Sequence, residues 1–376
     1  MAMPFRHLSL LSAALPALAL AQTAQFDPAT VEACQSVESD AARLACYDQA
    51  VGRSAPGPRQ ADAAADQAKT RADAQKQQAA ADARDRRLRA GAVFATDSQD
   101  LDALANAGKG SLLDGRWELA KDSKLGVFQM RAYKPVYLLP AFWTSRVNDM
   151  PHSPNPDNTV SERQDLQNIE TKFQLSFKTK FVENLFGDNG DIWGAYTQSS
   201  HWQVYNGGAS RPFRETNYEP EVMLVFRTNY GVGDWRGRLL GLSVDHQSNG
   251  RGDPLSRSWN RAILMAGFDR DNWSLMVRPW WHLGDVEDNP DIENYMGRGD
   301  VTLVYAKDGQ QFSLMGRHSL RTGEDSHGAV QATWAFPIKR NLRGRLEIFH
   351  GYGESMIDYN HSATYIGLGI SLLEWY

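Results

Sequence analysis

The chain has 376 residues, a formal net charge of −5, 42% apolar residues and 10% aromatic residues. A mean hydropathy of −0.50 lies far below that of a helical bundle spanning a membrane. The acidic balance, with a pI near 6.0, leaves no basic footprint for nucleic acid, and no nucleic-acid partner is expected. The length allows two or three domains. The aromatic residues divide the chain, since all 11 Trp lie at or after Trp117.

Taken in chain order, Arg6 and His7 precede an apolar run, Leu8–Leu20, and Ala19-Leu20-Ala21 stands before Gln22. A positive start, a short hydrophobic core and a small-x-small site predict a signal peptide over residues 1–21. A buried core helix is the alternative, and it explains the flanks less well. No later run approaches the ~20 apolar residues of a spanning helix. The mature protein is therefore expected to leave the cytoplasm of a Gram-negative-type bacterium.

Cys34 and Cys46 are the only cysteines. The spacing offers too few neighbouring ligands for a metal. An exported pair in an oxidising compartment favours a disulfide across a small helical hairpin within residues 22–50. Residues 51–92 are Ala, Asp, Gln, Lys and Arg with almost no large apolar side chains. Such a stretch buries too little area to fold alone, and reads as a periplasmic linker or solvated helix. Residues 93–124 form a pre-barrel segment.

From residue 125 onward the hydrophobic period is two. Trp273, Leu275, Val277 and Trp281 alternate with Ser274, Met276, Arg278 and His282. Ile366, Leu368, Ile370 and Leu372 alternate with Tyr365, Gly367, Gly369 and Ser371, and Lys172, Gln174, Ser176 and Lys178 oppose Phe173, Leu175 and Phe177. A soluble sandwich also alternates. Strands of ~10 residues or more with a repeatedly aromatic apolar face are what a bilayer demands of a sheet. The pattern predicts an all-β fold: a twelve-stranded antiparallel transmembrane β-barrel over 125–376, in the outer membrane, behind a mostly polar periplasmic extension. Tight turns near Asp269–Asn272 and Lys307–Gln310 belong on the periplasmic side. Long loops at 142–168, 205–218, 248–258 and 284–298 belong outside. Trp375-Tyr376 is a terminal aromatic of the kind barrel-assembly machinery reads, making that machinery an expected partner during biogenesis.

One strand breaks the rule of an apolar exterior. Leu240, Leu242 and Val244 share a parity with His246 and Ser248, and on the returning strand Asn260 shares its face with Ala262, Leu264 and Phe268. A hairpin through 249–257 would bring His246 and Asn260 together near the outer rim. Polar groups set against lipid are costly and need a reason. One reason is a Ser-His-Asn arrangement, with Ser248 as nucleophile, His246 as base and the Asn260 oxygen holding the imidazole tautomer. The other is that these are headgroup-level polar residues with no chemistry. Spacing alone leaves both open.

The chain resembles the outer-membrane phospholipase A family of Gram-negative bacteria. The resemblance runs through Tyr196-Thr197-Gln198, the stretch Pro212–Pro220, His246-Gln247-Ser248-Asn249-Gly250-Arg251, Asp253-Pro254 and Ser256-Arg257-Ser258-Trp259-Asn260-Arg261. It continues in Asp288-Asn289-Pro290-Asp291-Ile292 and Gly351-Tyr352-Gly353-Glu354-Ser355. It spans roughly 125–376, in the family's order and spacing. The resemblance implies a calcium-dependent hydrolase of phospholipid acyl esters (phospholipase A1, A2 and lysophospholipase-type activity) that is active as a homodimer. Carried onto matching positions, His246 is the base, Ser248 the nucleophile and Asn260 the orienting residue. Calcium contacts fall on the Arg251 carbonyl, the Ser256 hydroxyl, Asp288 and the partner subunit's Ser210, an all-oxygen set suited to this cation. The Gly250 N–H joins the calcium in stabilising the oxyanion. Gly252 and Leu255 depart from the small hydroxyl residues usual in the family's catalytic loop, which puts loop rigidity and calcium affinity in doubt.

Gln198 shares a face with Ile192, Tyr196 and Trp202, so a long amide points at lipid. Unpaired it would cost several kcal/mol, and a two-fold partner would satisfy it. The family places this position at its dimer interface, with Leu175 and Phe177 as nearby apolar contacts. Two other readings compete: a non-enzymatic porin or structural barrel, and a barrel esterase for another lipid ester.

Overall fold

The computed structural model describes residues 31–53, 63, 65–78, 98–284 and 287–376. The expected signal peptide lies outside these residues, as does much of the linker. The chain divides into two compact units, 1–81 and 82–376.

In the first unit a 3-10 turn, Val31–Ser36, precedes the helix Asp40–Ala50, and a Cys34–Cys46 disulfide with Cα atoms 5.6 Å apart joins them. Cys34 is fully buried, while the helix has no buried residue. The bridge supplies what a core this small cannot. A further helix over 65–78 is exposed along its length.

The second unit is one closed sheet. Two strands, β1 (Met130–Ala132) and β2 (Val136–Thr144), both pair with β3 (Ile169–Val182). They are two pieces of one barrel strand, interrupted at Tyr133-Lys134-Pro135, where proline has no N–H to donate. The rest follow in chain order, each antiparallel to the next: β4 (Asp191–Trp202), β5 (Phe213–Val232), β6 (Trp235–Ser248), β7 (Ser258–Arg270), β8 (Trp273–Leu283), β9 (Gly299–Lys307), β10 (Gln310–His318), β11 (Gly328–Lys339), β12 (Leu342–Tyr352) and β13 (Ser362–Leu373). Pairing of β13 with β2 and of β3 with β4 closes the ring. With β1 and β2 counted as one, the thirteen strands make the expected twelve. Closure leaves no open edge, as hydrocarbon requires. No helix among the described residues is long and apolar enough to cross a membrane.

Alternation sorts the side chains as expected. Leu240, Leu242 and Val244 are exposed on the outer wall, while Leu239, Ser243 and Asp245 are buried within. The turn between β9 and β10 holds Asp308 and Gly309 at φ of 52° and 75°, the left-handed pair that a two-residue hairpin needs.

The lumen is filled. Lys172 bridges Glu347 and Glu354 at 2.9 and 2.6 Å, and Arg345 reaches Glu347 and Glu374 at 2.7 and 2.8 Å. The cavity left between these groups measures about 210 Å³. Part of the pre-barrel segment also lies inside. The helix Leu112–Trp117, capped by the Ser111 hydroxyl, packs Leu113 and Trp117 against Trp193, Leu239 and Met265. Lys178 Nζ lies 2.9 Å from the Trp117 ring centroid. The Tyr376 and Ser274 hydroxyls are 2.6 Å apart inside the barrel.

Candidate active site

The site begins with register. His246 on β6 is the cross-strand partner of Asn260 on β7. Both side chains stand on the exposed outer wall, with His246 Nδ1 2.8 Å from Asn260 Oδ1. An amide oxygen only accepts, so Nδ1 carries the proton and the Nε2 lone pair is left as the basic site. Ser248 follows on the same face, opposite Tyr218 of β5 and Ser258 of β7. Its hydroxyl makes no side-chain hydrogen bond among the described residues.

The inner face holds this register in place. Arg261 donates to both oxygens of Asp245 at 2.8 and 2.7 Å and reaches Glu219 at 3.1 Å. Trp259 Nε1 donates to Gln247 Oε1 at 2.9 Å. Residues adjacent to His246 and Asn260 in sequence thus lock the two strands from within, so the outward pair sits on a rigid support.

The connecting loop is organised by Asn249. Its Oδ1 accepts from the N–H groups of Arg251 and Arg257 at 3.2 and 3.0 Å, and its Nδ2 donates to the Leu255 carbonyl at 2.8 Å. Gly250 has φ +59°, and a Cβ there would sit 2.7 Å from Cε2 of the Tyr218 ring. Only glycine fits both the backbone conformation and the space. Arg257 is fully buried, donating to the Ser256 carbonyl at 2.6 Å and the Asn158 carbonyl at 2.9 Å. Burial lowers its guanidinium below the ordinary arginine value, against the opposing pull of Tyr359, Glu215 and Asp288.

Two of the expected calcium positions meet directly. The Ser256 hydroxyl donates to Asp288 Oδ2 at 2.6 Å, and Ser258 reaches the same oxygen at 3.5 Å. Ser153 donates to the Asp288 carbonyl at 2.6 Å, and Asn289 clamps the Ser258 backbone through both of its amide atoms. The Arg251 carbonyl accepts no hydrogen bond among the described residues. Ser210 does not join this group within one chain: it is exposed in the 203–212 loop, at φ +61°. No group of three or more His, Cys, Asp or Glu side chains among the described residues could hold a metal. The donors available are a carbonyl, a hydroxyl and one carboxylate, which fit a hard cation better than a transition metal.

The outer wall beside His246 carries an apolar groove of about 440 Å³, lined by Phe177, Phe181, Tyr196, Pro220, Val222 and Val244 among others. Leu175 is exposed and pairs across the sheet with Gln198. Here the structure corrects the sequence reading. Gln198 points outward, but its amide is not unpaired: Oε1 accepts from the Tyr196 hydroxyl at 3.2 Å and Nε2 reaches Ser200 Oγ at 3.5 Å. Its neighbours in the same chain relieve part of the desolvation cost assigned to a partner. Sequence reasoning also missed Tyr218, Asn249 and Asn158 as organisers of the loop. The loop's density of Asn, Asp and Gly was the available signal.

The closed sheet, the outward apolar wall and the ion-paired lumen define a transmembrane β-barrel of outer-membrane type. A family model described as phospholipase A1 matches residues 113–372. A phospholipase A1 from Proteus vulgaris is 41% identical over 203 residues, covering 54% of this chain and 69% of its own. Outer membrane phospholipase A from Escherichia coli superposes with a TM-score of 0.60 at 34% identity, covering 66% of this chain and 95% of that one. The Salmonella typhi outer membrane phospholipase, solved as a dimer with bound calcium, gives 0.61 at 33% identity, with 67% and 95% covered. The chain belongs to the phospholipase A1 family of outer-membrane proteins.

Proposed function

We propose that this protein is a calcium-dependent phospholipase A that cleaves glycerophospholipid acyl esters at the outer wall of the barrel, through Ser248, His246 and Asn260. The observation that carries the reading is the His246 Nδ1–Asn260 Oδ1 hydrogen bond on the lipid-facing side. A headgroup-level polar pair needs neither this tautomer nor a hydroxyl two residues on.

In this reading Ser248 Oγ attacks the ester carbonyl and passes its proton to His246 Nε2. The imidazolium then donates through Nδ1 to Asn260, a neutral partner that orients more than it stabilises. Collapse of the tetrahedral intermediate returns the proton to the departing glycerol oxygen, and water repeats the cycle in reverse to release the fatty acid. The Gly250 N–H is the protein's donor to the oxyanion. The groove along Phe177, Phe181 and Val244 accommodates an acyl chain beside His246. Activity at either acyl position, and on monoacyl lipids, fits a shallow open wall.

Arg251, Ser256 and Asp288 would hold calcium, with the partner subunit's Ser210 completing the set in a homodimer built on Leu175 and Gln198. When bound, calcium supplies positive charge to the developing oxyanion. The dimer and the calcium of the Salmonella typhi relative support this part. Recognition of Trp375-Tyr376 by assembly machinery would precede closure, since the Tyr376 hydroxyl is tied to Ser274 in the folded lumen.

The test is hydrolysis of phospholipid in mixed micelles by the purified full chain, with calcium or EDTA, beside Ser248→Ala. Calcium-dependent release of fatty acid that Ser248→Ala abolishes while staying folded is the expected result. Wild-type activity in folded Ser248→Ala overturns the proposal.

A further inference from the structure

His246 and Asn260 are not the only polar pair set against lipid. On the β12–β13 hairpin, His350 is the cross-strand partner of Thr364. Its Nδ1 lies 2.9 Å from Thr364 Oγ1. His350 shares the outward parity of exposed Ile348, and Thr364 that of exposed Ile366 and Leu368. Like His246 on β6, His350 sits two residues in from the loop end of its strand. A histidine on this wall again needs a reason, and here no third side chain orients the imidazole from its other nitrogen among the described residues.

Its surroundings supply the reason. Arg146, exposed just beyond β2, donates to the Ser362 carbonyl. His361 Nε2 is 3.0 Å from the Arg146 carbonyl. Ser145 joins the cluster through Thr364, donating its own N–H to the Thr364 carbonyl at 2.8 Å and accepting from the Thr364 N–H at 3.0 Å. Arg146 and His350 are thus held two residues apart on β13, one at the Ser362 carbonyl and the other at the Thr364 hydroxyl, with His361 on the Arg146 backbone. Among the described residues no carboxylate pairs with Arg146, and His350 Nε2 makes no hydrogen bond. Of the acids on the neighbouring loops, Asp149 pairs with Arg163 at 2.5 Å, and buried Asp358 pairs with Arg214 and Asn148 at 3.0 Å each, with His361 beside its charge. Directly below runs apolar wall: Trp143, which pairs across the sheet with Ile366, then Ile348 and Leu368, all exposed.

We propose that this rim cluster is a lipid-binding site separate from the His246 wall. It takes the phosphate of a membrane lipid on Arg146 and His350, with the acyl chains lying along β12, β13 and β2. The guanidinium has donors to spare beyond the Ser362 carbonyl, and phosphate oxygens suit its planar fork. In the tautomer whose Nδ1 accepts from the Thr364 hydroxyl, His350 Nε2 carries the ring proton and adds one more donor, and an indole at headgroup depth anchors the interface. An outer-leaflet glycolipid phosphate and a glycerophospholipid phosphate share this chemistry.

The experiment is native mass spectrometry of the full chain in detergent. The titrants are an ether-linked phosphatidylglycerol, which ester hydrolysis cannot cleave, diphosphorylated lipid A, a dialkylglycerol lacking phosphate, and inorganic phosphate. One or both phosphate-bearing lipids should bind more tightly than the dialkylglycerol. Arg146→Gln/His350→Gln should weaken that binding at least about tenfold, the effect of losing one charge-assisted contact. Phospholipid hydrolysis should stay unchanged. The lipid retained identifies the natural occupant. Equal binding by parent and double variant overturns the proposal. So does equal binding of the dialkylglycerol, or inorganic phosphate binding as tightly as either lipid. If the double variant fails to fold, His350→Phe, which keeps the ring and removes the donor, carries the same comparison.

Discussion

At the scale of single residues, the proposed chemistry makes a graded forecast. Removing Ser248 or His246 takes away a reacting group, whereas Asn260→Ala removes only an orienting acceptor. Hydrolysis should fall by several orders of magnitude in Ser248→Ala and His246→Ala, and by about one to two orders in Asn260→Ala. Steady-state rates on folded protein, judged by heat-modifiable electrophoretic mobility, check this. Equal losses at all three positions would contradict the division of roles. Gly250→Ala is a sharper probe. The new methyl meets the Tyr218 ring at 2.7 Å in a left-handed backbone, so the loop must move and carry the oxyanion N–H with it. The loss should appear in kcat more than in KM, because that contact strengthens only in the transition state. A KM effect alone would remove Gly250 from the oxyanion role.

At the scale of elements, the β6–β7 hairpin and the inserted helix carry separate loads. The hairpin holds His246 opposite Asn260 because Asp245, Gln247, Trp259 and Arg261 bind one another on its inner face. The helix Leu112–Trp117 fills the lumen. Trp117 is 5% exposed and makes an edge-on contact with Trp193 at 6.1 Å while its face covers Lys178. Trp117→Ala should destabilise the barrel by about 3–5 kcal/mol, the usual cost of deleting a buried tryptophan. It also removes the ring face that covers Lys178 Nζ. Chemical unfolding followed by fluorescence of the remaining tryptophans measures this, and a change below about 1 kcal/mol would show that the helix is not packed as described.

At the scale of the whole molecule, two consequences follow from where the site lies. The proposed site is outside the barrel, and the lumen is crossed by ion pairs with about 210 Å³ left between them. Purified protein in a planar bilayer should therefore show no steady porin-like conductance. Stable open channels from a pure preparation would contradict the filled lumen. The second consequence concerns linkage. Ser210 makes no hydrogen bond to Ser256 or Asp288 within one chain among the described residues, so in the proposed dimer calcium and the second subunit each complete the other's contacts. Calcium should promote dimerisation, and dimerisation should tighten calcium binding by the same factor. Sedimentation in detergent with calcium or EDTA, run beside activity assays, tests this. Full activity in a species sedimenting as a monomer would end it.

What the sequence determined by itself is what period two can encode. Alternation along Leu240–Ser248 and Ile366–Leu372 put each side chain on the correct wall, because in a strand parity and face are the same variable. The strand number and the outward placement of His246 and Asn260 came from that rule, whereas the loop expected over 205–218 ends at Pro212, because β5 begins at Phe213 and pairs with β4 from there. Parity says nothing about a side chain's partner. The closeness of Ser256 to Asp288 comes from two loops 32 residues apart in sequence, and the hydroxyl that meets Gln198 belongs to its own strand. The helix Leu112–Trp117 shows no strand period, and only closure of the sheet creates the lumen that buries it. The tyrosine ring that makes glycine obligatory at position 250 sits on β5, across the sheet from Ser248. These facts rest on distances across a closed ring, and pairwise distance across a ring is the quantity a linear pattern does not contain.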